Sequence, residues 1–323
     1  MMQEVLVSEE ICCVGTAIAF VVAENRYIAE DACALIDVEY EILPVVADCL
    51  KALESNALSF CSAIPNNLAA HVKTNFGDVD SGFNSATHIV QEVFWNNRGS
   101  AHPMETRGYA AEFHLTSGEL TVWSSGQTPH LEKKNLIDIL GWDPEKIRII
   151  HNDVGGGFGP KAIFYPEEAM VAIAAHELLQ PVKWIEDRRE HFYTATQERD
   201  QWWDVEVACE SDGHVLGMRA VCTHDNGAYL PYGLLLCMTS VAPFPGSYAI
   251  GAIDIRLDCM FTNAVPTTPI RGAGRPNATF VIERTMDTIA RELKLDRIKV
   301  RQRNFVQKEQ FPYLTGAKLP NGI

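Results

Sequence analysis

Residues 154–161 read Val-Gly-Gly-Gly-Phe-Gly-Pro-Lys, and four glycines in five positions exclude a stable helix or strand interior at that point. Lacking Cβ, glycine reaches positive φ and lets successive main-chain N–H groups face one concavity. The apolar residues 147–150 upstream predict a strand, and residues 167–179 downstream predict a helix. Strand, glycine turn and helix in that order make a seat for a polar, anionic guest, although a turn that binds nothing carries the same local signature. Two nucleotide loops fail at named residues. A Walker A loop needs Gly-Lys-Ser/Thr, but Pro160 precedes Lys161 and Ala162 follows it; a dinucleotide fingerprint needs its third glycine where Pro160 stands.

A second glycine segment, Arg271-Gly-Ala-Gly-Arg-Pro-Asn277, precedes a stretch in which Ile282, Met286, Ile289 and Leu293 share one helical face, with Asn277 predicted as the N-cap. Two such loops, each leading into a helix N-terminus, can grip one extended anion from two sides.

With 323 residues, 47% of them apolar and 21% charged, the chain has room for two domains or one elaborate one. A net charge of −15 without a face-length cluster of Lys and Arg argues against a nucleic-acid surface. No apolar stretch reaches the ~18–20 residues of a membrane span and no signal-peptide pattern opens the chain, so a cytoplasmic location is expected. Nine scattered cysteines without Cys-x-x-Cys disfavour a disulfide framework, a zinc ribbon and an iron–sulfur cluster held by this chain alone.

Along the chain, residues 14–23, 29–36 and 37–43 predict strand, short helix and strand, a small α/β unit within residues 1–55. Residues 56–75 are small and polar and read as a linker. Strands are expected at 88–95, 110–115, 119–125, 147–154 and 182–186, with helices at 130–140 and 167–179. Ser211-Asp-Gly213 between residues 202–208 and 215–224 marks a hairpin, and residues 253–261 read as a further strand. The expected class is α+β: the small unit, then mixed sheets and helices over residues 76–308, then an aperiodic tail at 309–323.

Six segments in order give the chain a family likeness: residues 98–108 with His102-Pro-Met-Glu105, Trp123-Ser-Ser-Gly-Gln-Thr-Pro-His130, Gly155-Gly-Gly-Phe-Gly159, Tyr165-Pro-Glu-Glu168, Val182-Lys-Trp-Ile-Glu-Asp187 and Arg271-Gly-Ala-Gly-Arg-Pro276. From about Val14 to Val306 the chain resembles the molybdenum-cofactor subunit of the xanthine dehydrogenase, aldehyde oxidase and carbon monoxide dehydrogenase group. The resemblance implies a hammerhead-like N-terminal unit (residues 1–55), a first molybdopterin-binding domain (76–308) and the start of a second (309–323). It also implies a molybdenum–molybdopterin cofactor, often the cytosine dinucleotide form in bacterial members, without side-chain ligands to the metal. By match, Gln127 reaches the apical oxo ligand, and Gly156, Gly157, Phe158, Gly159, Arg271, Gly272 and Ala273 surround the cofactor. Gln127 suits that role because an amide gives two N–H donors without charge, and Arg271 carries a permanent fork of donors for phosphate or pterin oxygens.

The same resemblance implies hydroxylation with water-derived oxygen. Electrons pass to iron–sulfur and FAD partner subunits, and a second half of the molybdenum subunit is a further expected partner. The family's catalytic glutamate lies in a downstream Gly-Glu motif that this sequence lacks, so no catalytic residue is assigned here and no turnover is expected from the chain alone. Ala162 and Ala273 stand where purine-oxidising members carry a glutamate and an aromatic residue, and residues 237–250 lack their arginine. Gly272 stands where the carbon monoxide enzymes carry cysteine. Aldehydes or N-heteroaromatic compounds remain as substrates. The alternative is a cofactor-free assembly paralogue, which need not keep Gln127, both glycine loops and Arg271. His102 is expected to be structural, Glu105 and Arg107 to form a buried ion pair, and Glu167 and Glu168 to complement a helix dipole.

Overall fold

The computed structural model describes residues 3–316. Near the N-terminus the chain departs from expectation. Helix α1 (Arg26–Ala34) forms, capped by the Asn25 side chain on the Ile28 N–H, but the strands expected at 14–23 and 37–43 do not. A strand needs a neighbour to satisfy its main chain and cover its apolar side chains. Among the described residues neither segment pairs in a sheet, and Val14 and Ile42 stand 67% and 91% exposed. After the short α2 (Cys49–Ala52), the stretch expected as a linker is structured: a bridge joins Cys61 to Ile64, and β1 (Leu68–Phe76) begins within it.

Helix α3 (Val79–Ser85) and β2 (His88–Asn96) lead to the two-residue β3 (Gly99–Ser100). Then β4 (Gly108–His114), β5 (Glu119–Ser124), α4 (Pro129–Leu140), β6 (Ile147–His151), α5 (Pro166–Leu178) and β7 (Val182–Ile185) build a four-stranded sheet in the order β6-β5-β4-β7. Ala169, Val171, Ala172 and Ala175 of α5 pack on Leu120, Val122 and Leu136 to form its core. Small alanines let the helix lie close to the sheet.

Beyond α6 (Arg188–Thr194), β8 (Gln197–Glu198) pairs with β3. The predicted hairpin is β9 (Gln201–Cys209) with β10 (Val215–Gly227). Helix α7 (Leu235–Val241) follows, and β11 (Ile253–Phe261) then lies parallel to β10 and antiparallel to β1, giving the order β1-β11-β10-β9-β2. Helix α8 (Arg275–Glu292) buries Val281, Ile282, Met286 and Ile289 in the core of that sheet, and α9 (Arg297–Asn304) completes the unit. Asn277 is not the cap of α8. Gly274 is, and Pro276 occupies the first turn, where a missing N–H costs nothing. Asn277 is instead fully buried, accepting from Asn96 Nδ2 at 2.9 Å and donating to Ser240 Oγ at 3.3 Å. Of the tail at 309–323, residues 317–323 lie outside the described residues.

The first glycine loop therefore leaves the smaller sheet at β6, while the second joins β11 of the larger sheet to α8. They meet between the two cores.

Candidate functional site

After β6 the chain turns through Gly156 (φ +98°), Phe158 (φ +60°) and Gly159 (φ +123°). The loop does not run straight into α5, as its sequence suggests. It closes in a 3-10 turn, Pro160–Ala162, because Pro160 fixes φ without offering an N–H, and α5 starts only at Pro166. A Cβ on Gly157 would fall 2.6 Å from Gln127 Cδ, so any larger residue there would displace that amide. The second loop turns at Gly272 (φ +98°) and Ala273 (φ +53°), and the Arg271 N–H donates to the Phe158 carbonyl at 2.8 Å, tying the loops together.

Between them lies a cavity of about 510 Å³, within the range of small-molecule sites. Gln127, Gly157, Phe158, Gly159, Arg271, Gly272 and Ala273 all line it, so residues far apart in the sequence converge there. Gly156 sits in the same turn without lining the cavity. Tyr232, Ile270 and Arg275 line it too and were not singled out from the sequence. Arg275 was legible as the second arginine of its motif; Tyr232, beyond β10, carries no local signal.

The Gln127 main-chain N–H donates to the Lys161 carbonyl at 2.9 Å, and Gln127 Oε1 accepts from the Gly159 N–H at 2.9 Å, which holds the side chain against the loop. Among the described residues, Gln127 Nε2 and the N–H groups of Gly156, Gly157 and Phe158 have no hydrogen-bonding partner, and neither Arg271 nor Arg275 forms an ion pair. No Asp, Glu, His or Cys lines the cavity. Unpaired amides and two guanidiniums without a carboxylate suit an oxygen-rich anion, and a molybdopterin with its phosphate and oxo groups fits that donor set.

The surrounding charges serve structure. Arg107, 1% exposed, pairs with Glu186 (2.5 Å) and Glu167 (3.3 Å), not with Glu105 as expected. Burial pushes the Glu186 carboxyl up, but hydrogen bonds from His191 and the charge and hydrogen bonds of Arg107 outweigh it and hold the group at about 2. Glu105 binds Lys161 at 2.6 Å. Glu168 accepts from the Tyr165 N–H at 2.9 Å, so a main-chain bond sets its place at the start of α5, while burial pushes its carboxyl up, against the charged form that the expected dipole role needs. His102 packs edge-on against His191 and Phe192.

One group among the described residues has the spacing of metal ligands: His224, Cys237 and Cys259, with ligand atoms within 4.8 Å of one another. Both ring nitrogens of His224 are engaged, Nδ1 with Gln201 Nε2 at 3.3 Å and Nε2 with Thr267 Oγ1 at 3.1 Å. Three buried donors without a fourth, in an apolar core, do not make a tetrahedral metal site.

Comparison with known proteins places these features. Residues 60–305 match the molybdopterin cofactor-binding domain, and residues 1–44 match the α/β hammerhead domain of aldehyde oxidase and xanthine dehydrogenase. The chain is 36% identical to the nicotine 6-hydroxylase large subunit of Paenarthrobacter nicotinovorans over 96% of its own length and 38% of that protein's. Among solved structures, quinoline 2-oxidoreductase from Pseudomonas putida 86 superposes with a TM-score of 0.92 at 33% identity, covering 100% of this chain and 41% of that one. CO dehydrogenase from Oligotropha carboxidovorans follows at a TM-score of 0.88 and 31% identity, covering 99% and 42%. The chain thus spans about two fifths of the length of these relatives. No described helix is long and apolar enough to cross a membrane.

Proposed function

The chain belongs to the molybdopterin cofactor-binding family of the xanthine dehydrogenase, aldehyde oxidase and carbon monoxide dehydrogenase group, and on that premise we propose that it is the cofactor-gripping segment of a molybdenum hydroxylase. The carrying observation is the shared cavity, into which Gln127, both glycine loops and Arg271 converge without an acidic side chain. When bound, a molybdenum–pterin cofactor supplies two-electron oxidation of a carbon centre with water as the oxygen source.

The chain's own residues hold and orient. Gln127 Nε2 donates to an oxygen of the guest without adding charge, and the amides of Gly157 and Phe158 stand at the same wall of the cavity. Arg271 and Arg275 neutralise phosphate or pterin oxygens, with the cytosine dinucleotide form as the bacterial alternative. Phe158 and Tyr232 give the cavity aromatic surfaces that shed water and accept a flat ring. The names of the nicotine and quinoline enzymes support an N-heteroaromatic substrate over an aldehyde. The general base is a glutamate on polypeptide outside this chain, so the chain has no turnover alone. Iron–sulfur and FAD subunits take the electrons, and a second half of the molybdenum subunit completes the site. The two family matches support a hammerhead-like unit followed by a first molybdopterin-binding domain.

Elemental analysis of the native complex tests the reading: molybdenum should co-purify with this chain, with one phosphorus per molybdenum for a plain molybdopterin or two for its cytosine dinucleotide form, beyond the two that each bound FAD contributes. Gln127→Glu, which replaces the free donor by a carboxylate, should lower turnover of the assembled enzyme about 100-fold or more. A native complex free of molybdenum overturns the proposal.

A further inference from the structure

Neither Glu105 nor Lys161 lines the cavity, yet together they hold both ends of the loop that does. Glu105 Oε2 accepts from the Gly155 N–H at 2.8 Å, where the loop begins, and from Lys161 Nζ at 2.6 Å, where it ends. The Glu105 N–H returns to the Gly155 carbonyl at 3.3 Å. The Lys161 side chain is 2% exposed, and Glu105 is its ion-pair partner. Its main-chain carbonyl accepts the Gln127 N–H, and Gln127 Oε1 in turn accepts the Gly159 N–H. One carboxylate oxygen therefore joins Gly155 to Lys161, and Lys161 passes the constraint to Gln127. A Cβ on Gly155 would lie 2.5 Å from Glu105 Cβ, so glycine is required for the carboxylate to reach the loop at all.

Resting on the cofactor-gripping role argued above, we propose that Glu105 and Lys161 form a charged clasp that fixes the first glycine loop with its amides aimed into the cavity, making them positioning residues for cofactor retention. A buried ammonium needs a carboxylate partner. Here that need draws the two ends of a glycine-rich segment together, and glycine-rich main chain is otherwise costly to order.

Hydrogen exchange on the assembled enzyme, resolved at single amides by fragmentation mass spectrometry, separates this from a local bond. Gly155 donates directly to Glu105, so its amide must lose protection in Glu105→Ala whatever the clasp does. Gly159 donates to Gln127 and touches neither clasp residue. Its amide should exchange at least tenfold faster in both Glu105→Ala and Lys161→Met, and the molybdenum retained per chain after dialysis should fall in parallel. Lys161→Arg, which keeps the cation, should restore both. Gly159 protection within twofold of wild type in either folded variant overturns the clasp. If Glu105→Ala does not assemble, Lys161→Met and Lys161→Arg decide alone. A wild-type enzyme without molybdenum overturns the cofactor reading instead, and leaves the Gly159 exchange result to judge the clasp.

Discussion

Alanine at position 159 meets two obstacles at once. Gly159 sits at φ +123°, a region that costs a residue with a Cβ about 1–3 kcal/mol. The added methyl would also fall 2.9 Å from the Pro269 carbonyl carbon and 3.0 Å from Ile270 Cα. Those are main-chain atoms of the opposite loop, so relief requires the loops to part, an overpacking cost of about 1–3 kcal/mol. Gly159→Ala is therefore expected to destabilise the fold by about 4 kcal/mol. Gly118→Ala is the matched control: Gly118 also has positive φ, at +68°, but nothing lies within 4 Å of the position a Cβ would take. Its cost is the conformational part alone, about 1–2 kcal/mol. Urea unfolding followed by circular dichroism gives both values, and the excess of about 2–3 kcal/mol measures the contact between the loops. An excess below about 0.5 kcal/mol, the scatter of neutral substitutions, refutes that contact and removes one wall of the cavity.

Arg107→Met leaves Glu186 and Glu167 buried without a cation and should cost about 3–5 kcal/mol in chemical unfolding; adding Glu186→Gln should recover part of it. The Glu186 carboxyl, held at about 2 against an ordinary 4.5, gives stability that is complete above about pH 4.5 and lost as pH falls through about 2, roughly 3 kcal/mol in all. The acid limb of stability against pH should therefore be shallower in Glu186→Gln, and an unchanged limb contradicts the assignment. Asn277→Ala leaves the Asn96 amide and Ser240 hydroxyl short of a partner in a buried site, for an expected loss of about 1–3 kcal/mol by thermal or urea unfolding.

Local chemistry was legible in the sequence where it is self-contained. Four glycines in five residues gave the turn, Ser211-Asp-Gly213 gave the β9–β10 hairpin, and the apolar face of α8 was read from Ile282, Met286 and Ile289. Partnerships were not legible. Residues 14–23 and 37–43 have strand-like patterns, but a pattern cannot supply the neighbour a strand needs. The β1 strand was missed although Leu68, Ala70, Val72 and Phe76 alternate along it, and its place is set by β11, which lies far along the chain. The pairing of Arg107 with Glu186, and of Glu105 with Lys161, was likewise invisible from spacing, since each pair is brought together by the sheets. At the site, motif order located the loops and Gln127, whereas Tyr232 enters only through the path the chain takes after β10.

The meeting of the two loops between two separate cores also sets an order of events in the life of the protein. Each half can consolidate around its own sheet, but the cavity exists only once they have docked. A ligand that binds only the docked form stabilises it in proportion to the logarithm of its concentration over its dissociation constant. A cofactor seated between them would then latch the two sheets together.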